Sequence, residues 1–401
     1  MDLKHIHHLA EALTEDLVAF LRDLIAIPSV CGNEEAVIHR IRQEMEKIGF
    51  DDIRTDGLGN LVGLLGNGEH RIAIDGHCDT VDTGNRNNWA HDPFEGKHEN
   101  GIIYGRGACD QKGGLASAIY AGKLLKQIGI PQNLSLMIVA SILEEDQEGF
   151  SWNYMLKHNN LQPEVVLLTE PSNLGIRIGQ RGRAEIRIVT HGHSCHSSAP
   201  DRGENAVYKI APIISEIEAL SRTFPIHPLL GQATLAVTDV RSTAPSLCAV
   251  PELATLCVDR RLTETDTPDS ILAEIAALQS VRAANADVFI PHYPVTSYTG
   301  WTGSVHAYYP TWLMAPGHPC IQTAIQTYRN QFGNEPTIDV WQFSTNGVCT
   351  NGQYHIPTFG FGPGEEKYAH TPDDQVNAAD LIKAAQFYAA FAWKYSESVN
   401  C

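Results

Sequence analysis

Residues 71–80 read Arg-Ile-Ala-Ile-Asp-Gly-His-Cys-Asp-Thr, a short apolar run that stops on His77 and Asp79. The run predicts a buried strand, and a polar pair directly after it stands at the sheet edge where open α/β sheets place their sites. Upstream, Leu13, Leu17, Leu21 and Leu24 recur at helical spacing until Pro28, and Val37, Ile41, Met45 and Ile48 form a second stripe ended by Gly49. Residues 61–65 read as a further strand. Downstream, 112–128 reads as a helix, while 134–143 and 165–169 are apolar throughout, as strands covered on both faces are. The alternation predicts an α/β domain with a mixed, mostly parallel sheet between helices.

Near Gln180-Arg181-Gly182 the pattern changes to strands of period two at 184–189, 234–240 and 253–261, with helices at 204–220 and 269–281. Strand, helix, strand, strand, helix, strand is the order of an α+β, ferredoxin-like sandwich. From about 316 the first pattern returns, with a helix at 320–332, short strands near Val340 and at 357–361, and a closing helix at 378–395. The sequence therefore predicts a discontinuous domain, 1–180 with 312–401, interrupted by an inserted domain, 181–311.

A chain of 401 residues is long for one core, and 43% hydrophobic with 19% charged residues is ordinary globular composition. Lys plus Arg number 29 against 47 Asp plus Glu, a net charge of −18 that argues against nucleic acid and anionic membrane as partners. No apolar run reaches the roughly 18 residues of a membrane helix, and acids and histidines occupy the N-terminal stretch where a signal peptide needs apolar residues. Nine cysteines without a Cys-x-x-Cys pair fit a reducing compartment, so a cytoplasmic chain is expected.

Four more segments end strands or open helices with polar groups: Asp110 in Gly105-Arg-Gly-Ala-Cys-Asp-Gln-Lys-Gly-Gly114, Glu144-Glu145-Asp146, Glu170-Pro171, and Gly362-Pro-Gly364 leading to His370-Thr-Pro-Asp373. Taken singly, these are a turn, a solvated strand end or a structural histidine. Imidazoles and carboxylates gathered at one sheet edge repel and desolvate each other, which implies a cation. His and carboxylate donors without sulfur suit Zn²⁺, with Co²⁺ or Mn²⁺ as substitutes. With one shared Asp, five ligands serve two ions, the equipment for hydrolysing an unactivated amide. Cys78 and Cys109 flank donors but point away from them on alternation grounds, and are read as packing residues.

The chain resembles the zinc-dependent amidohydrolases that include acetylornithine deacetylase, succinyl-diaminopimelate desuccinylase, aminoacylase-1 and carboxypeptidase G. The motifs are Gly76-His-Cys-Asp-Thr-Val81, Trp89-Ala-His-Asp-Pro-Phe94, Tyr104-Gly-Arg-Gly-Ala-Cys-Asp-Gln-Lys-Gly113, Glu144-Glu145, Glu170-Pro171 and Gly362 through His370. Phe343-Ser-Thr-Asn-Gly-Val348 is similar to a selenium-metabolism-linked hydrolase branch. The resemblance implies that His77, Asp110 and Glu170 hold one metal while Asp110, Glu145 and His370 hold the other. It implies Glu144 as general base beside a metal-bridging water, Asp79 as acceptor for the second ring N–H of His77, and a cis peptide at Asp110-Gln111. It also implies that the inserted domain mediates a homodimer in which His196 stabilises the oxyanion of the partner's site. Arg181, Arg261, Asn346, Gly362 and Gly364 would bind substrate, and Arg260 would form salt bridges.

Asn346 stands where some relatives have Asp, and Cys248 where several have Asn, so substrate identity does not carry over. Glu170 in place of Asp leans towards deacylases and carboxypeptidases rather than aminopeptidases. The expected function is hydrolysis of a small N-acyl amino acid, with a dipeptidase or carboxypeptidase as alternative and a catalytically silent amino-acid-binding homologue as a remote one.

Overall fold

The computed structural model describes residues 3–159 and 161–398. Its main sheet has nine strands, eight of them in the spatial order Asp52–Thr55, Leu61–Leu65, Leu134–Ser141, His70–His77, Val165–Leu168, Thr358–Gly360, Ile176–Gln180 and Trp312–Leu313, with Ile338–Trp341 also pairing to Ile176–Gln180. The middle of the sheet, from Leu134–Ser141 through Thr358–Gly360, is parallel. Its flanks are antiparallel at Leu61–Leu65 and at Ile176–Gln180 against Thr358–Gly360 and Trp312–Leu313, so the sheet is mixed. The parallel strands are apolar and buried on both faces, as two-sided cover requires.

Lys112–Ile128 packs on the strand His70–His77 and against the helix Ala378–Ser398. Its stripe of Leu115, Ile119, Leu124 and Leu125 is fully buried in the same core as Leu381, Phe387 and Phe391. Lys112 is buried too, and its ammonium donates to the Leu24 and Ile27 carbonyls at 2.9 Å each. Those carbonyls end the helix Thr14–Ile25, where the macrodipole favours a cation.

A second core is built from Ile186, Ile188, Ile210, Ile213, Leu256, Val258 and Ile271. It lies under an antiparallel sheet ordered Thr234–Thr243, Leu253–Leu262, Gly182–His191, Asp287–Phe289, the arrangement of a ferredoxin-like sandwich. The helix expected at 269–281 is two helices, Pro268–Ala276 and Gln279–Ala284, because Leu278 takes an extended backbone (φ −57°, ψ 138°). Thr267 starts the first with a reciprocal capping box to Ser270. A hairpin, His292–Thr296 with Thr302–His306, follows the strand Asp287–Phe289.

The turn carrying Asp110 can descend onto the neighbouring strand end because Gly114 has no side chain: a Cβ there would lie 2.2 Å from the Thr169 carbonyl oxygen. Gly114→Ala is expected to destabilise the protein by about 1–3 kcal/mol, as overpacking against backbone does, measured by urea unfolding at unchanged m.

Candidate metal centre

His77 closes its strand at 1% exposure. Its Nε2 lies 3.2 Å from Asp110 Oδ1, 3.7 Å from Glu144 Oε2 and 3.8 Å from Glu170 Oε1. The other Asp110 oxygen, Oδ2, lies 3.3 Å from His370 Nε2, which is 2.8 Å from Glu145 Oε2. Asp110 thus presents one oxygen to each imidazole. The structure brings His77, Asp110, Glu144, Glu145, Glu170 and His370 together from five separate segments, with a cis peptide at Asp110-Gln111. Single donor atoms of His77, Glu144 and Glu170 converge within 4.8 Å, as do those of His77, Asp110 and Glu145.

Burial dominates the electrostatics. It pushes the Glu144 and Glu170 carboxyls well up, with the surrounding carboxylates adding to the effect at both. Burial would lower His77, but the contact with Asp110 and the nearby carboxylates drive it well above its usual range. His370 is pushed up to about 10 by hydrogen bonding to Asp110 and Glu145. Both imidazoles are therefore pressed to hold extra positive charge, the role a divalent cation fills. Glu144 Oε1 is buried with no hydrogen-bond partner among the described residues. The donor set, nitrogen and carboxylate oxygen around a shared Asp, fits a pair of divalent cations, and these residues could hold them.

Asp79 differs from expectation. The His77 Nδ1 is met at 2.9 Å by the Asp79 backbone carbonyl, while the nearer carboxylate oxygen stands 3.6 Å away. A residue two positions on from a strand-end His can offer its main chain as easily as its side chain.

The donors line a cavity of about 340 Å³ together with Glu148, Arg183, Arg261 and Phe343. Arg261 is there as expected, but Arg181 is not among the lining residues. Its guanidinium donates to the Gln232 carbonyl and to Gln342 Oε1 at 3.0 Å each, and Arg183, two residues on, takes the place facing the donors. Arg183 pairs with Glu148 at 3.3 Å and stacks over Tyr309 at 4.8 Å. Strand alternation turns Arg260 the other way, into a buried pair with Asp266 and Glu274.

Two further substrate contacts are corrected. Asn346 is buried, donating to Asp75 Oδ2 at 2.9 Å and Ser141 Oγ at 3.1 Å and accepting from the Gly149 N–H at 2.9 Å, so its amide is committed to the scaffold. Gly362 donates its N–H to Ser172 Oγ at 2.8 Å rather than to the cavity. Gly364, at φ 84°, accepts at its carbonyl from the Asn173 N–H at 2.7 Å; a Cβ there would meet Cys109 Sγ at 2.8 Å. Cys78 and Cys109 are buried thiols pushed well up by burial. His196 is exposed, its Nδ1 accepts from the Ser198 N–H at 3.1 Å, and it is not among the residues lining the metal cavity of its own chain.

Asp374 was missed. It is buried, accepts from the Gly107 and Cys109 N–H groups at 2.7 and 2.8 Å, and pairs with Arg106 at 3.0 Å. It thereby fastens the turn bearing Asp110 to the segment bearing His370. Burial pushes its carboxyl up to about 7 despite those donors. The only sequence signal was its place directly after the exposed Asp373.

Residues 73–394 match the family described as Peptidase family M20/M25/M40. The chain is 42% identical over 384 residues to the uncharacterized protein YgeY of Escherichia coli (strain K12), covering 95% of each. It is 27% identical to a succinyl-diaminopimelate desuccinylase of Rhodospirillum centenum, over 94% of this chain and 96% of the relative. The solved structure of the YXEP protein of Bacillus subtilis, described as a dinuclear metal binding peptidase, superposes with a TM-score of 0.72 at 15% identity, over 97% of this chain and 99% of that one. Fold and relatives define a metallo-hydrolase acting on amide or peptide bonds. The chain belongs to peptidase family M20/M25/M40.

Asp374→Asn keeps the shape but weakens the grip on the Asp110 turn. Metal affinity, measured by competition with a chelator, is expected to fall about 10- to 100-fold while the circular dichroism spectrum stays native.

Proposed function

We propose that the chain is a di-zinc hydrolase that removes the acyl group of a small N-acyl amino acid. The observation that carries this is the shared Asp110, one oxygen towards His77 and the other towards His370, at a cavity that also holds Glu144 and two guanidiniums. The similarity to a desuccinylase over nearly the whole chain supports an acyl amino acid as substrate. His77, Asp110 and Glu170 would hold one ion, and Asp110, Glu145 and His370 the other. Such a pair supplies Lewis acidity towards the amide carbonyl and lowers the pKa of water.

Glu144 does the proton work. Burial pushes its carboxyl well above the usual carboxylate range, and Oε1 has no hydrogen-bond partner among the described residues to compete for the proton. It accepts the proton of the attacking water and returns it to the leaving nitrogen as the C–N bond breaks. Arg261 and Arg183 orient a substrate carboxylate, for which the planar guanidinium fork is suited. His196 of a second copy stabilises the oxyanion, in a homodimer formed edge to edge through Ala206–Ser221 and Thr234–Thr243, a strand that among the described residues pairs only with Leu253–Leu262. The protein is cytoplasmic on this view; the eight described cysteines are all free, and no described helix is long and apolar enough to cross a membrane.

Elemental analysis is expected to find about two zinc ions per chain, with Co²⁺ or Mn²⁺ able to replace them; His77→Ala should lose metal. Glu144→Ala should retain metal and lose at least about 10²-fold in kcat. Loss of metal from Glu144→Ala would exchange the roles of Glu144 and Glu145. Against a panel of N-acyl amino acids and dipeptides, kcat/KM is expected to be highest for an N-acyl amino acid; a dipeptide preference would make the enzyme a peptidase with the same centre. Mixing inactive Glu144→Ala and His196→Ala chains should restore activity through hybrid dimers, and no recovery after proven subunit exchange would remove His196 from the partner's site.

A further inference from the structure

The Asp79 carbonyl serves His77, and the Asp79 carboxylate lies between that imidazole, with Oδ1 3.6 Å from His77 Nδ1, and a second buried group of side chains. Asp79 Oδ2 accepts from the Cys31 thiol at 3.1 Å and from the Glu145 N–H at 2.9 Å, while Oδ1 is buried without a hydrogen-bond partner among the described residues. Beside it lies Glu34, at 0% exposure. Glu34 Oε1 accepts from the Gly32 and Leu143 N–H groups at 3.0 and 3.3 Å, and Oε2 is buried and unpartnered. One donor atom from each of Cys31, Glu34 and Asp79 lies within 4.8 Å of the other two. Two buried carboxyl groups, one of which leaves Glu34 Oε2 without a hydrogen-bond partner among the described residues, are costly at this range unless a proton or a cation lies between them.

The cluster is held in place from both sides. Ser29 Oγ donates to the Cys78 carbonyl at 2.7 Å, and the Thr80 N–H donates to the Ser29 carbonyl at 2.9 Å, so the loop 28–34 is laid along the end of the strand that carries His77. Cys31 is half-buried, whereas Glu34 and Asp79 are sealed.

We infer that Cys31, Glu34 and Asp79 form a third cation site, behind the centre of His77, Asp110 and His370, for a soft divalent cation of the zinc or cadmium kind. A thiolate with two carboxylate oxygens selects such an ion over Mg²⁺ or Ca²⁺, whose ligands are oxygen alone. On binding, the Cys31 S–H bond breaks, its proton passes to solvent and the sulfur lone pair enters the new bond. Occupancy engages Asp79, whose Oδ2 holds the amide of Glu145, which gives surplus zinc a handle on the hydrolytic centre.

Cadmium chloride titrated into the purified protein with its own metals in place tests this, read by the ultraviolet sulfur-to-cadmium charge-transfer band. The nitrogen and oxygen donors of the main centre produce no such band, so the result is independent of whether the enzyme is a deacylase. A saturable band is expected in the wild type and in Cys248→Ala, which removes an exposed thiol. Cys31→Ala should abolish it, and Glu34→Gln should raise the apparent Kd at least about tenfold. Absence of the band from the wild type would overturn the site and leave Glu34 as a protonated carboxyl. Persistence in Cys31→Ala, or unchanged affinity in Glu34→Gln, would overturn it too, as a different or lone thiol. Should Cys31→Ala fail to fold, Glu34→Gln alone decides.

Discussion

Buried negative charge at one sheet edge is the constraint on which the rest of this structure depends. Asp110, Glu144, Glu145 and Glu170 converge on His77 and His370, where burial pushes the three glutamate carboxyls up while the two imidazoles hold Asp110 well below the usual range. Such a cluster persists only where positive charge is supplied and the chain cannot relax apart. The protein meets the first need with imidazoles pressed to bind protons or a metal, and the second with a scaffold of buried hydrogen bonds.

That scaffold ties segments distant in sequence to one another. Asp374 joins the turn of Asp110 to the segment of His370, Asn346 joins Gly149 to Asp75 and Ser141, and Ser172 holds Gly362 beneath Glu170. Each is a buried polar group whose partners are fully specified, the kind of network that rigidifies when satisfied. Arg183, paired with Glu148 and stacked on Tyr309, extends the same principle to the inserted sheet and brings its charge to the cavity.

The elements were largely legible in the sequence. Lys112–Ile128 lies where its periodicity places it, and the apolar runs at 134–143 and 165–169 are strands. The break at Leu278 was not legible because no proline or glycine marks it, and the hairpin His292–Thr296 with Thr302–His306 was not because Pro294 inside its first strand argues against a strand there. Within the site, residue types were legible and their uses less so. Arg181 and Arg183 carry the same side chain two positions apart, and only the packing of Tyr309 and Glu148 shows which one reaches the cavity.

What the sequence by itself determined is the donor set: His77, Asp110, Glu144, Glu145, Glu170 and His370 stand at strand ends and turns because a two-sided sheet buries its middle and leaves its edge for polar groups. Tertiary structure alone decided which atom of each residue is used. The Asp79 carbonyl rather than its carboxylate meets His77, Asn346 is committed to the scaffold, and Asp374 rather than Asp373 is buried. Periodicity assigns a residue to a face, whereas the choice between main chain and side chain rests on distances of a few tenths of an ångström set by segments far away in the chain.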